Sequence, residues 1–141
     1  MDATEIAGHC DAIVDYVTRY DYVTFIEIAR QLEKRGVETK GHQALCLPDD
    51  PNMILWAGMS ADFVAVYHVL HESKRIYPHP AQYLTYLIDG GTLRMPIAQR
   101  APKAGYREPH WVPVCFRTVP WDEKEWKRER RARRSGRRRR A

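Results

Sequence analysis

Between Arg128 and Arg140 the chain carries nine arginines in thirteen positions, and no side chain there is more apolar than Ala132. Such a run cannot bury enough apolar surface to offset the entropy of ordering it. Any folded core must therefore come from the residues before it. Residues 122–141 hold eleven basic against four acidic groups, whereas the first 121 residues hold twelve basic and fourteen acidic. The chain divides into a nearly neutral body, 1–121, and an arginine-rich tail, 122–141, expected either to be disordered throughout or to begin with a short helix over Asp122 to Arg134. A body of that length can bury one sizeable core. No apolar run approaches the roughly 20 residues that a membrane-spanning helix needs. The opening Met1-Asp2-Ala3-Thr4-Glu5 has neither the basic region nor the apolar stretch of a secretory signal. Three cysteines, Cys10, Cys46 and Cys115, are far apart and odd in number, so no disulfide framework is expected and a reducing cytoplasm is the expected compartment.

Within the body, Ile6, Cys10, Ile13, Val14 and Val17 make one helical stripe over Ala3 to Tyr20, with Asp2 and Glu5 as a capping start. Thr24-Phe25-Ile26-Glu27 is a capping box, Val23 and Ile28 suit a hydrophobic staple, and Gly36 supplies a stop, so a second helix follows Thr24. The period then changes. Ala44 to Leu47, a turn over Pro48 to Asn52, and Met53 to Trp56 read as a β-hairpin. A third helix, capped by Ser60 or Asp62, buries Phe63, Val66, Tyr67 and Leu70 and ends near Ser73 or Lys74, with Pro78 and Pro80 preventing continuation. Tyr83 to Ile88, the turn Asp89-Gly90-Gly91, and Thr92 to Ile97 predict a second hairpin. A polar loop, Gln99 to Glu108, leads to a last strand, His110 to Thr118, which Pro113 marks as an edge or a bulge. The expected class is α+β. Helix and hairpin recur at an offset near 40 residues, which reads either as chance likeness of any two helix–hairpin pairs or as a pseudo-repeat of two units, 1–58 and 59–121, stacked on one core.

The chemistry the sequence points to is polyanion binding. Guanidinium groups match phosphate oxygens in pairs and stay charged at any working pH. The arginines concerned are Arg128, Arg130, Arg131, Arg133, Arg134, Arg137, Arg138, Arg139 and Arg140. Binding through such a segment is indifferent to sequence and falls steeply with salt. The body's own basic excess is local: Arg94, Arg100, Lys103, Arg107 and Arg117 stand against Glu108, with Tyr106, His110 and Trp111 interleaved. Of these, Arg94, Arg100, Lys103 and Arg107 read as contacts to a phosphate backbone, and Trp111 reads as core.

The order of helix, capped helix and hairpin resembles a winged helix-turn-helix domain over roughly residues 3–57. Thr24-Phe25-Ile26-Glu27-Ile28-Ala29-Arg30-Gln31-Leu32 is similar to the helix that precedes the recognition helix in many bacterial and phage regulators. The resemblance implies a further helix in the major groove. Its place here is Thr39 to Leu45, with Lys40, His42 and Gln43 facing the groove.

Metal and catalytic chemistry find little support. His68 with His71, and His42 with Cys46, match no zinc-ligand spacing. His68 is expected to border the core and His71 to face solvent. Cys10 lies on an apolar stripe, and His110 with Cys115 has no orienting carboxylate. Asp49 and Asp50 fall in a hairpin loop with no basic partner nearby in sequence. No enzyme activity, cofactor or metal is expected. The expected function is non-catalytic nucleic-acid binding, DNA ahead of RNA, in a small bacterial or phage regulator or accessory factor. The alternative is a protein-interaction module that uses exposed aromatics such as Trp56, Trp111 and Trp121, its tail serving solubility or acidic partners.

Overall fold

Three helices begin on a side-chain cap, and each cap follows from its sequence. The computed structural model describes residues 1–128 and Arg131. In α1 (Ala3–Tyr20) the Asp2 carboxylate accepts the Glu5 N–H at 2.8 Å. In α2 (Phe25–Lys34) the Thr24 hydroxyl accepts the Glu27 N–H at 3.3 Å. In α3 (Ala61–Ser73) Ser60 accepts the Phe63 N–H at 3.0 Å. Such caps satisfy amide groups that the first helical turn leaves without partners.

The strands form two three-stranded sheets, and the class is α+β. One sheet has the order β1 (Val23–Thr24), β6 (Val114–Arg117), β4 (Tyr77–Pro80), antiparallel throughout. The other has the order β2 (Lys40–Leu47), β3 (Asp50–Met59), β5 (His110–Trp111), with β2 antiparallel and β5 parallel to β3. The hairpin expected at Ala44 to Trp56 is present and longer at both ends. Pro113 divides the expected last strand into β5 and β6, one in each sheet. Pro78 and Pro80 lie in β4 itself, tolerated because the sheet continues only on the β6 side.

Two expectations are overturned. Tyr83 to Ile88 is helical: α4 (Tyr83–Asp89) replaces the second hairpin, and Asp89-Gly90 serves as a helix stop in place of a hairpin turn. Gly90 takes φ 104 and its N–H bonds the Tyr86 and Leu87 carbonyls, a left-handed ending that a side chain would resist. The hairpin half of the second pseudo-repeat unit is therefore absent. Likewise the segment Thr39 to Leu45 is strand, so Lys40, His42 and Gln43 sit on β2 and not on a groove-entering helix. Gly41 packs so closely on β3 that an added Cβ would lie 2.5 Å from the Met59 carbonyl oxygen.

One core joins these elements, running from Cys10 to Phe116. Phe25 stands at its centre, with ring centroids 5.0 Å from Phe116, 5.4 Å from Tyr67 and 6.0 Å from Trp56. Trp111 and Tyr86, both fully buried, extend it beneath α4 with centroids 4.9 Å apart. Trp111 is core, as read from the sequence. Burial also removes Trp111 from the exposed aromatics, and Trp56 is half-buried against Phe25, Tyr86 and Trp111; Trp121 does remain exposed.

Candidate functional site

The basic loop of the body is built by a carboxylate 56 residues away in sequence. Asp50 opens β3 and is only 7% exposed. One of its oxygens accepts the Asn52 N–H at 3.0 Å, and the other accepts the Tyr106 N–H at 2.9 Å. The Asn52 amide donates to the Tyr106 carbonyl at 2.6 Å. Tyr106 in turn stacks on His110 with centroids 3.7 Å apart, and its hydroxyl donates to the Arg100 carbonyl while accepting the Arg100 N–H. A turn from Pro102 to Gly105 closes the loop, with the Gly105 N–H on the Pro102 carbonyl at 3.0 Å. Through these two backbone amides Asp50 clamps residues 99–108 to the hairpin end. Arg100, Lys103 and Arg107 project from this clamped loop and are all exposed. A loop ordered in advance loses less entropy on binding than a free one.

Arg94 is also exposed, ahead of the segment Pro96-Ile97-Ala98 that flanks β5 through the Ile97–Trp111 bridge. Lys40, His42 and Gln43 are exposed on β2, yet the fold does not bring them to the loop. Lys40 pairs with Met59, whereas Leu47 pairs with Asp50 at the clamped end. Seven steps of strand separate the two ends, roughly 20–25 Å. Arg128 and Arg131 are exposed. Arg130, Arg133, Arg134, Arg137, Arg138, Arg139 and Arg140 lie outside the described residues.

A second polar cluster joins α1, α2 and α4. Tyr16 donates to Glu27 at 2.9 Å, the Thr24 hydroxyl donates to Asp89 at 2.7 Å, and Arg30 bonds the Asp89 carbonyl. Burial and the adjoining Asp89 carboxylate raise the Glu27 carboxyl above the usual range. Burial, with the bond to Glu27, pushes the Tyr16 phenol up to about 12. The cluster ties the end of α4 to the start of α2. Its one sequence signal was the capping box, which could not reveal the contact with Asp89.

The remaining reactive side chains are dispersed. Cys10 and Cys115 are buried, and burial raises both thiols, Cys115 to about 11. The Cys10 thiol faces the Val66 carbonyl, and His110 is engaged by the Glu108 carbonyl at 2.8 Å. His68 and His71 are both exposed, and the rings of both lie near the buried Tyr67. Among the described residues no group of three or more His, Cys, Asp or Glu is arranged to hold a metal ion. No described helix is long and apolar enough to cross a membrane. No family model, no curated protein and no solved structure matches the chain.

Proposed function

We propose that this protein is a non-catalytic nucleic-acid-binding protein of the regulator or accessory-factor class, with DNA its first substrate and RNA its second. The observation that carries the reading is the arginine density of the tail, nine in thirteen positions. Tail guanidinium groups displace counterions from phosphates and supply salt-sensitive affinity. The clamped loop adds Arg100, Lys103 and Arg107 at fixed positions on the body, which gives the complex an orientation. The resemblance to winged helix-turn-helix domains extends to α1, the capped α2 and a hairpin. With β2 where the recognition helix would stand, Lys40, His42 and Gln43 act from a two-stranded ribbon, an element that the major groove also admits.

The test is fluorescence anisotropy across salt with duplex DNA, single-stranded DNA and RNA. Full-length protein is compared with residues 1–121, which retain every core residue, and with a triple Arg100→Ala, Lys103→Ala, Arg107→Ala variant. Each phosphate contact contributes about −0.9 to the slope of log K against log salt on duplex DNA. The triple variant lowers that slope by up to about 2.7, and truncation flattens it further. An unchanged slope after truncation refutes the tail's role.

A second reading, a protein-contact module, is favoured by one surface. Leu84, Leu87 and Ile88 on α4 are 56%, 53% and 76% exposed, beside Tyr83. This face takes the place of the aromatics expected from the sequence. Charge substitution at Ile88 with unchanged nucleic-acid binding, but loss of a co-purifying protein, would select it.

A further inference from the structure

Exposed apolar surface is concentrated on α4. Tyr83, 43% exposed, joins Leu84, Leu87 and Ile88 there, so four of the seven residues of this helix turn large apolar side chains to solvent. At about 100° per residue the four fall within one arc of about 140°, with Tyr83 and Leu84 one turn from Leu87 and Ile88. Thr85, Tyr86 and Asp89 take the rest of the circumference, and Tyr86 is fully buried. A surface helix ordinarily turns one apolar stripe inward and a polar face outward, and a helix apolar on both sides belongs to an interior. The fold supplies that interior on the Tyr86 side alone.

The outer stripe is fixed in place. The Tyr86 hydroxyl bonds the Val114 carbonyl and the Phe25 N–H, Thr24 and Arg30 hold Asp89, and Gly90 ends the helix. A ridge anchored in this way loses little entropy when it is covered. Residues 129–141 hold eight arginines and no side chain more apolar than alanine, so that segment is no match for it.

Three features single out a second copy of the chain as the occupant. The stripe carries no charged group, and its one polar side-chain atom is the Tyr83 hydroxyl. Choosing a foreign partner draws on polar and charged groups that reject others, whereas an uncharged apolar face is its own complement in a two-fold contact. The bodies themselves, with twelve basic and fourteen acidic groups over 1–121, meet with little repulsion. At about 200 Å² for a large apolar residue, the exposed fractions leave about 450 Å² on each copy. A pair buries about 900 Å² through these side chains, and flanking contacts bring it to the roughly 1,000 Å² at which specific interfaces begin.

We propose that α4 is a self-association face, two copies of the protein packing their Tyr83–Ile88 stripes against each other about a two-fold axis. This commits the protein-contact surface noted above to one occupant and stands apart from the nucleic-acid reading, since none of its residues belongs to the loop or the tail. The contact is closed: each copy spends its one stripe, so assembly stops at two. An area at the small end of specific interfaces gives a dimer that forms at micromolar concentration.

The experiment is sedimentation equilibrium of the full-length protein, without nucleic acid, from about 1 to 200 μM in about 0.15 M salt. The mass should rise from 16.5 kDa toward twice that value. Two variants accompany it, Leu84→Lys with Ile88→Lys and Leu84→Glu with Ile88→Glu, and their melting curves certify the folds. Each alone should associate at least about tenfold more weakly, because like charges then face each other across the axis. An equimolar mixture of the two should recover the dimer, since Lys meets Glu across the contact. A merely structural defect would give no such recovery. Hydrogen exchange of the wild-type protein at the two ends of the concentration range reads the same contact without a variant, and should show slower exchange over residues 83–89 at the high end. A wild-type mass that stays at 16.5 kDa overturns the dimer and leaves the stripe to a foreign protein. Undiminished association in both folded variants, protection confined to other segments, or a mixture that remains monomeric overturns the α4 contact. Nucleic-acid binding enters none of these readouts, so the two readings fail separately.

Discussion

Removing a single oxygen atom at Tyr86 should test whether its hydroxyl joins α4 to β6 and to the start of α2. The Tyr86 ring is fully buried between Trp111 and Trp56, and its hydroxyl donates to the Val114 carbonyl at 2.5 Å and accepts the Phe25 N–H at 3.3 Å. Neither backbone group has a ready substitute. Phe25 is the first residue of α2, so its N–H has no carbonyl one turn back. The Val114 carbonyl faces away from β4, toward the end of β1, where the strand has given way to α2. Tyr86→Phe keeps the ring contacts and strands both groups. A buried unsatisfied group costs about 1–3 kcal/mol, and the longer Phe25 bond counts for less, so the loss should be about 2–4 kcal/mol. At about 3–5 °C per kcal/mol for a chain of this size, the melting temperature should fall by about 6–20 °C. Urea unfolding followed by tryptophan emission gives the free energy directly, and an unchanged m value shows that the native surface is kept. Tyr83→Phe, on the same helix but 43% exposed, is the control and should stay within about 0.5 kcal/mol. A Tyr86→Phe protein indistinguishable from that control would refute the assignment of the hydroxyl as the joint.

Three further outcomes follow from the polar contacts. Asp50→Ala removes the charged acceptor of the Tyr106 amide, so hydrogen exchange at that amide should quicken by about ten- to a hundredfold, from about 1.5–3 kcal/mol for such a bond, with the core amides less affected; unchanged exchange would show that the clamp does not hold the loop. Glu27→Gln should raise the melting temperature at neutral pH, because a carboxyl raised in the fold by burial favours folding when protonated and that contribution is lost as pH rises through its folded pKa. The two proteins should converge at acid pH, below the unfolded carboxyl range, and a gap that widens there contradicts the sign. Of the three thiols, Cys46 is exposed and should react alone with a disulfide reagent in the folded protein, with Cys10 and Cys115 appearing only on unfolding.

The helices that could be read from sequence are those whose signals are local. Asp2, Thr24 and Ser60 precede apolar stripes, and each cap forms as spaced. Tyr83 to Ile88 misleads because aromatic and aliphatic residues there suit a strand as well as a short buried helix, and Asp89-Gly90 fits either ending. What decides is tertiary: Tyr86 is drawn against Trp56 and Trp111, and Thr24 at the cap of α2 and Arg30 within it hold Asp89. Lys40 to Gln43 become strand for a similar reason, since β3 supplies ten residues of pairing surface. The cations of the loop were visible as composition, but their clamp was not, because Asp50 and Tyr106 meet only through the fold. The pairing of β1 with β6 spans some ninety positions and leaves no local trace.

The sheet borders have a consequence for the protein at high concentration. Crowded molecules with open strand borders recruit one another into continuous sheets. Ala81 donates inward to the Pro113 carbonyl, so by alternation Tyr77 and His79 also face β6, and Pro78 and Pro80 occupy the outward positions, where β4 offers no donor to a newcomer. The opposite border, β1, is two residues long. In the second sheet, β2 is broken by repeated register shifts and starts at Lys40, and Pro96-Ile97-Ala98 covers the far side of β5. Concentrated copies of the protein should therefore stay separable and leave no fibrous residue.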